Sequence, residues 1–268
     1  MADLDIKIAQ HLAGLAGAAI LPHFRALTAV DSKGEAGFDP VTVADRAAEA
    51  AIREHLSKAA PDDGVIGEEF PRKPSANGRH WIVDPIDGTR GFIMGLPTWG
   101  TLIALHTGEQ VTTGLMAQPF VGETFFAGED GAFHQHLGSN APTVVPLKTR
   151  PCATLSDAIL TTTSPELFHG GAREGFERVC HSAKTMRYGA DCYGYAMVAA
   201  GHCDGVVELG LSAYDIAPFI PLIRGAGGVL TDFQGNDIEP TILDGYNGEA
   251  VAVGDAHLLD SILKALNG

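Results

Sequence analysis

Apolar residues recur at helical spacing near the N-terminus. A helix is predicted over residues 4–27, and Pro22 is expected to kink or end it near its C-terminus. The apolar side chains that share one face of this predicted helix are Leu4, Ile8, Leu12, Leu15 and Ala19.

A second helix is predicted over residues 42–59, where small and apolar residues fall at four-residue intervals on one face. These residues are Ala44, Ala48, Ile52 and Leu56. Arg46, Glu49 and Arg53 are expected to point away from that face. The alanine-rich stripe favours close packing against another helix or a sheet.

From Val65 onward the pattern changes to short β-like runs separated by glycine, proline and charged turns. The runs are VIG, WIVD, TLIAL, VTTGLMA, ETFFAG and AFH. Such a succession predicts a largely antiparallel sheet.

The second half of the chain begins after the polar segment GSNAPTVVPLKTRP, and strand-like and helix-like pieces then alternate. Strands are predicted at AILTTT, KTMRYG, GVVEL, GGVLTD and AVAVG, and helices near residues 171–181, 193–200 and 214–225. This alternation predicts helices layered over a second sheet. We expect one compact unit of two halves, residues 1–145 and 146–268.

Amino-acid composition and net charge restrict the molecules that this protein is expected to bind. The 268 residues are 45% hydrophobic and 19% charged, as in a globular protein, and the formal charge of −15 makes nucleic acid an unfavourable partner. The four cysteines form no CxxC pair, the N-terminus lacks a signal-peptide pattern, and no apolar run is long enough to span a membrane. We therefore expect a cytoplasmic protein that does not enter a membrane.

Several carboxylates stand where apolar runs end. Glu68 and Glu69 follow GVIG, Asp84 and Asp87 follow WIV, and Asp215 lies in AYDIAP. Two like charges about 4 Å apart repel by roughly 4 kcal/mol at an effective dielectric constant of 20, so a cluster needs a compensating cation. Ligands that are all oxygens favour magnesium, manganese or calcium.

The DPIDGT motif is suited to holding two adjacent cations. Its proline restricts Asp84 to an extended conformation, and the Ile86 carbonyl lies between two carboxylates. The backbone amides of Gly88 and Thr89 can face a phosphate if a helix starts there. Taken singly, DG more often forms a turn and GEE a solvated loop, so the prediction of a metal site depends on these motifs occurring together.

Four ordered motifs span nearly the whole chain: DPVTVAD at 39–45, IGEE at 66–69, WIVDPIDGTRGF at 81–92 and AYDIAPFIPLIRGAGGVLTD at 213–232. With these motifs the sequence resembles the inositol monophosphatase-like family of metal-dependent phosphomonoesterases. The resemblance implies an α+β fold, a layered αβαβα sandwich of the inositol monophosphatase and fructose-1,6-bisphosphatase type. It also implies two or three Mg²⁺ ions, a small phosphate monoester as substrate and a homodimer.

The resemblance also implies roles for individual residues. Glu68, Asp84 and the Ile86 carbonyl would hold a first metal ion, and Asp84, Asp87 and Asp215 a second. Asp45 and Thr89 match the pair that helps to activate the attacking water, so Glu68, Thr89 and Asp45 form the predicted catalytic group.

Residues in the C-terminal half indicate the substrate. Glu208 matches a glutamate that family members place against the non-phosphate part of the substrate, and Asp191 stands where inositol-hydrolysing members carry a small residue. Two carboxylates favour a cationic group. With Arg90, TSPELF and Tyr214, this pattern resembles the histidinol-phosphatase branch, which implies hydrolysis of L-histidinol phosphate in histidine biosynthesis.

Alternatives remain at each of these positions. Arg187 is predicted to orient Asp191 or approach the phosphate, but the two residues could also form a structural ion pair, and Glu208 could be a surface charge. The enzymatic alternative is an inositol-1-phosphate or broad-specificity sugar or nucleotide monophosphatase. The non-enzymatic alternative is a regulatory protein that binds RNA or a polymerase.

Overall fold

Two N-terminal helices pack together on one face of a large sheet. The computed structural model describes residues 2–26, 30–32, 40–136 and 143–268. Helix α1 spans Ala2–Ile20 and helix α2 spans Val43–Ala59. The four predicted residues of the α2 stripe are all buried, which confirms that interpretation.

Pro22 was expected to kink or end α1, and the helix does end at Ile20, because proline disfavours the helical conformation of the residue before it. Turns occupy residues 21–26, so α1 is shorter than the predicted range of 4–27. The predicted buried face needs a correction, since it is displaced and Leu4 is 60% exposed. Small residues define the true face, since a Cβ on Gly17 would lie 3.0 Å from the Pro119 side chain. The buried residues include Ala9, Leu12, Ala13, Ala16 and Ile20.

A seven-stranded sheet follows α2 in the chain. Its strands are β3 (Gly64–Gly67), β4 (Arg79–Asp87), β5 (Gly100–Thr107), β6 (Gln110–Gln118), β7 (Glu123–Gly128), β8 (Gly131–His136) and β9 (Thr143–Pro146). They lie side by side in chain order, and only the β3–β4 pair is parallel, which confirms the largely antiparallel prediction. A separate antiparallel pair is formed by β1 (Val30–Ser32) and β2 (Pro40–Thr42).

The second sheet has five strands in mixed orientation. They are β10 (Ile159–Thr162), β11 (Thr185–Tyr188), β12 (Gly205–Leu209), β13 (Val229–Thr231) and β14 (Glu249–Val253), in the spatial order β11-β10-β12-β14-β13. Residue 145 lies in β9 of the first sheet, so the division of the chain into two halves stays a prediction.

Six further α-helices follow in the described residues. They are α3 (Thr89–Ile93), α4 (Gly170–Ser182), α5 (Cys192–Ala199), α6 (Ala213–Ile216), α7 (Phe219–Gly225) and α8 (Ala256–Asn267). The single helix predicted over 214–225 is wrong, because Pro218 lacks an amide hydrogen and the segment divides into α6 and α7.

Three clusters of buried apolar side chains lie between five layers of helices and sheets. Alternate residues of β4 face opposite ways: Trp81 and Val83 pack with α1 and α2, whereas Ile82 packs with α5 and α7 against the second sheet. Phe168 and Phe176 belong to the third cluster, which α4 and α8 cover. The order is helix, sheet, helix, sheet, helix, which confirms the layered α+β sandwich. The central helical layer brings α5 and α6 to the C-terminal end of β4.

Candidate active site

The C-terminal end of β4 carries a β-bulge that brings two carboxylates to one place. Asp84 pairs with Leu102 and Asp87 with Gly100, so β4 has one residue more than β5 across this interval. In a regular strand, residues three positions apart point to opposite faces. Pro85 cannot donate to a neighbouring strand, and its carbonyl instead accepts a hydrogen bond from the Thr101 hydroxyl at 2.8 Å.

Asp215 joins these two carboxylates from α6. Its Oδ2 accepts a hydrogen bond of 2.7 Å from the Ser212 amide, as part of a capping box that fixes the start of the helix. Asp84, Asp87 and Asp215 each present an oxygen within 4.8 Å of the others. Within the described ranges, this is the only such group of three or more potential metal ligands.

The three carboxylates strongly disfavour simultaneous ionisation. Burial raises the pKa of Asp84 well above its usual value, and the charges of Glu68 and Asp87 add to the effect. Burial followed by the charges of Asp215 and Asp191 does the same to the pKa of Asp87. Burial raises the pKa of Asp215 to about 7. A divalent cation removes this conflict, and the all-oxygen donor set fits a hard cation such as Mg²⁺.

Other predicted residues surround this carboxylate cluster. The charges of Glu68 and Asp45 both raise the pKa of Asp84, so both carboxylates lie within electrostatic reach of it. The Ile86 amide donates to Asp84 Oδ1 at 3.0 Å, and the Ile86 carbonyl accepts a hydrogen bond from Thr89 Oγ1, also at 3.0 Å. Asp45 stands in the first turn of α2, whereas Asp39 of the same motif lies outside the described residues.

Gly88 adopts a conformation that other residues rarely take. Its φ is +81°, and a Cβ there would lie 2.9 Å from the Thr98 carbonyl oxygen and 3.2 Å from Asp191 Oδ2. The chain therefore turns tightly between Asp87 and α3. Phosphate binding by the amides of Gly88 and Thr89 stays a prediction.

A cavity of about 270 Å³ opens beside the carboxylate cluster. Its lining includes Asp87 and Asp215 of the cluster together with Asp191, Glu208 and Thr163. Two of the predicted metal ligands and two of the three predicted substrate residues therefore line one cavity.

Glu208 is buried on β12, so the alternative of a surface charge is wrong. Its carboxylate accepts hydrogen bonds from the Thr163 amide at 2.8 Å and from the Tyr195 hydroxyl at 2.7 Å. Burial raises the pKa of Glu208, and the hydrogen bonds from Thr163 and Tyr195 oppose that rise.

Asp191 precedes α5 in a strained backbone conformation, with φ at 47° and ψ at −140°. Such strain in a residue other than glycine is typical of functional sites. Burial raises the pKa of Asp191, while a hydrogen bond with Thr163 and the charge of Arg90 lower it.

Arg187 does not join the site. It is exposed on the edge strand β11, where its guanidinium donates to the Tyr188 carbonyl, and it does not line the cavity. The ion pair considered between Arg187 and Asp191 is not found in the described part of the chain. Arg90 lines the cavity instead and is the arginine that influences Asp191.

Sequence reasoning missed three residues that support the site. Thr163 contacts both Asp191 and Glu208, Tyr195 contacts Glu208, and the Cys192 amide donates to Asp87 Oδ2 at 2.8 Å. The TTT run at the end of a predicted strand was a usable signal for Thr163. No pattern marked Tyr195 or Cys192, because their partners are distant in sequence.

The layered fold and the carboxylate cluster define an α+β sandwich protein with a buried site suited to a divalent cation. A profile of the inositol monophosphatase family matches residues 2–267, and the chain belongs to that family. Among the helices of the described residues, none has the length and apolar character needed to cross a membrane.

Individual relatives divide between two substrates. A histidinol-phosphatase from Chlorobaculum parvum is 37% identical over 245 residues, which cover 90% of this chain and 89% of that protein. An inositol-1-monophosphatase from Rhizobium meliloti is 36% identical over 211 residues, 77% of this chain and 76% of the relative. A solved inositol monophosphatase from Zymomonas mobilis superposes with a TM-score of 0.84 at 37% identity, covering 99% of this chain and 98% of its own. Identity alone therefore does not select the substrate.

Proposed function

We propose that this protein hydrolyses L-histidinol phosphate to L-histidinol and phosphate, with Mg²⁺ as cofactor, in histidine biosynthesis. The observation that carries the proposal is a second pair of carboxylates, Asp191 and Glu208, in the same cavity as the metal-ligand cluster. Histidinol phosphate carries an ammonium and an imidazole, and carboxylates bind cationic donors through charge-assisted hydrogen bonds. A neutral polyol gains less from two negative neighbours.

The proposed metal ligands follow the family resemblance and agree with the geometry of the cluster. Glu68, Asp84 and the Ile86 carbonyl would hold one Mg²⁺, and Asp84, Asp87 and Asp215 another, with two or three ions per site. When bound, these ions lower the pKa of a water and stabilise the departing ester oxygen. The carboxylates of this cluster would hold enough positive charge to let a phosphate approach a chain whose formal charge is −15.

Asp45 and Thr89 are the proposed residues for handling the attacking water, together with Glu68. The Thr89 hydroxyl donates its hydrogen to the Ile86 carbonyl, so its oxygen lone pairs can accept a hydrogen bond from that water. The Asp45 carboxylate can take up the proton that the water loses. The amides of Gly88 and Thr89 are the proposed donors to the phosphate.

An inositol-1-phosphate or broader sugar or nucleotide monophosphatase is the second candidate, supported by the relative from Rhizobium meliloti. Glu208 can accept hydrogen bonds from sugar hydroxyls as well as from an amine. The catalytic residues would be the same for both activities. The two differ only in the part of the cavity that binds the non-phosphate portion of the substrate. A regulatory RNA-binding role is opposed by the chain's negative charge and by its complete set of proposed metal ligands.

A substrate panel in the presence of Mg²⁺ tests the proposal. We expect kcat/KM for L-histidinol phosphate to exceed that for inositol 1-phosphate. A preference for inositol 1-phosphate of about tenfold or more would overturn the histidinol-phosphate proposal while leaving a phosphatase.

A homodimer is also proposed, from the family resemblance. Exposed apolar side chains just after α3 and just after β6 support it: Met94 is 73% exposed, Leu96 46% and Phe120 46%. Light scattering of the purified protein should give twice the mass of one chain.

A further inference from the structure

The segment at residues 68–70 carries a proposed metal ligand but has no regular secondary structure. It follows β3 directly, and Glu68 lies within electrostatic reach of Asp84. A flexible segment would hold a ligand poorly, because metal sites depend on the residues that orient their ligands. An interaction from another part of the chain must therefore fix this segment.

Glu49 supplies that interaction from α2. It lies one helical turn after Asp45 and is completely buried, although it was expected to point away from the apolar face of α2. One carboxylate oxygen, Oε2, accepts a hydrogen bond of 2.7 Å from the Glu69 amide. The backbone immediately after Glu68 is thereby fixed to the helix that also carries Asp45.

Gly67 explains how the Glu49 carboxylate reaches this position. A Cβ on Gly67 would lie 2.2 Å from Glu49 Oε1 and 2.4 Å from Glu49 Cδ, which is closer than real atoms approach. The missing side chain of Gly67 therefore makes the space that the Glu49 carboxylate occupies. The backbone on both sides of Glu68 rests against Glu49.

Arg53 completes the arrangement. Its Nε donates to Glu49 Oε1 at 2.7 Å, and its Nη2 donates to the Phe70 carbonyl at 3.1 Å. The guanidinium thus compensates the buried charge of Glu49 and also binds the end of the 68–70 segment. A buried charge needs such a partner, because an unpaired one is strongly destabilising.

We propose that Glu49 is a positioning residue that holds Glu68 in place to bind a divalent cation. This inference rests on the proposed function, in which Glu68 is a metal ligand. The Glu49 carboxylate accepts hydrogen bonds from Arg53 and the Glu69 amide, so Glu49 is not itself a proposed metal ligand. Its contribution is to fix the backbone at Gly67 and Glu69, so that the Glu68 carboxylate meets the cluster without a costly ordering step.

The test compares Glu49→Gln with a matched control on the same helix, Glu54→Gln. Glu54 also forms an ion pair four residues along α2, with Lys58 at 2.6 Å, but its side chain is exposed, and within the described ranges its carboxylate bonds to Lys58 and not to the 68–70 segment. Mn²⁺ binding to the metal-free proteins is measured by electron paramagnetic resonance, and the Mg²⁺ midpoint of phosphatase activity is measured in parallel.

We expect Glu49→Gln to weaken Mn²⁺ binding by about 10- to 100-fold, the usual effect of losing a residue that orients a metal ligand. Its Mg²⁺ midpoint should rise correspondingly, and kcat should recover at saturating Mg²⁺. Glu54→Gln should match the wild type. Wild-type Mn²⁺ affinity in folded Glu49→Gln would overturn the proposal.

Gly67→Ala provides a second variant if Glu49→Gln fails to fold. Its added methyl should displace the Glu49 carboxylate and weaken Mn²⁺ binding, whereas the double variant Gly67→Ala/Glu49→Asp should recover part of the affinity, since the shorter acid leaves room. Unchanged Mn²⁺ affinity in Gly67→Ala would contradict the proposal. If the wild type neither binds Mn²⁺ nor hydrolyses phosphate monoesters, the proposed function itself fails instead.

Discussion

Replacing Asp215 with asparagine should stabilise the metal-free protein at neutral pH while removing part of its cation site. Burial raises the pKa of Asp215 from 3.8 to about 7. A folded-state pKa above the unfolded one means that stability falls as pH rises from about 3.8 to about 7 and is then constant. At about 1.4 kcal/mol per pH unit, the full penalty is about 4 kcal/mol.

Asparagine carries no charge and can still accept the hydrogen bond from the Ser212 amide. The variant therefore escapes the penalty that ionisation of Asp215 imposes. Between pH 5 and pH 8 the stability difference between variant and wild type should grow by about 3 kcal/mol, since about two pH units of this interval lie below the folded pKa.

Denaturant unfolding in the presence of a chelator measures this difference directly. Mg²⁺ should narrow the difference at pH 8 by stabilising the wild type more than the variant, because a ligand that binds only the folded state stabilises it and the variant lacks one carboxylate of the cluster. A stability difference in chelator that does not change between pH 5 and pH 8 would refute the electrostatic account. So would equal stabilisation of both proteins by Mg²⁺.

Two further predictions concern specificity and packing. Asp191→Ala should raise KM for L-histidinol phosphate far more than KM for inositol 1-phosphate in steady-state assays, and equal effects would reduce Asp191 to a structural residue. Gly114→Ala should lower the free energy of unfolding by about 1–3 kcal/mol or more, because its Cβ would lie 2.0 Å from the Pro218 carbonyl oxygen. Its control in denaturant unfolding is Gly171→Ala on α4, which meets no atom within 4 Å and should not destabilise the protein; equal stability of the two variants would contradict the packing argument.

Local pattern predicted the layers of the fold well. The four-residue spacing of α2 and the short β-like runs reflect which face of each element is buried. The buried face can be predicted from the spacing of apolar residues within a short stretch of sequence. Helix ends were predicted less well: the end of α1 before Pro22 was expected, but the division at Pro218 was not, because apolar periodicity continues past that proline.

Three of the predicted metal ligands, Asp84, Asp87 and Asp215, lie together because strand ends and helix starts meet at the edge of the layers. Their supporting residues could not be predicted in the same way. Thr163 and Glu208 are 45 positions apart, and Glu49 and Glu69 are 20 apart. Such contacts depend on how the layers pack against each other. The spacing of residues along the sequence does not indicate this packing.

The two arginines illustrate the same limit. Arg187 is close to Asp191 in sequence, but it lies on an exposed edge strand, and the chain turns before Asp191. Arg90 is about a hundred positions away in sequence, yet its charge lowers the pKa of Asp191 across the cavity. Sequence proximity selected the wrong arginine as the neighbour of Asp191.

Phosphate release from L-histidinol phosphate by wild type and Asp84→Asn, with and without Mg²⁺, tests the central claim most directly. Asp84 is shared by both proposed metal ions and is buried at the centre of the carboxylate cluster. We predict Mg²⁺-dependent release by the wild type and loss of activity in folded Asp84→Asn. Undiminished release by Asp84→Asn, or release by the wild type that is unaffected by a chelator, would contradict the assignment of this cluster as a catalytic metal site.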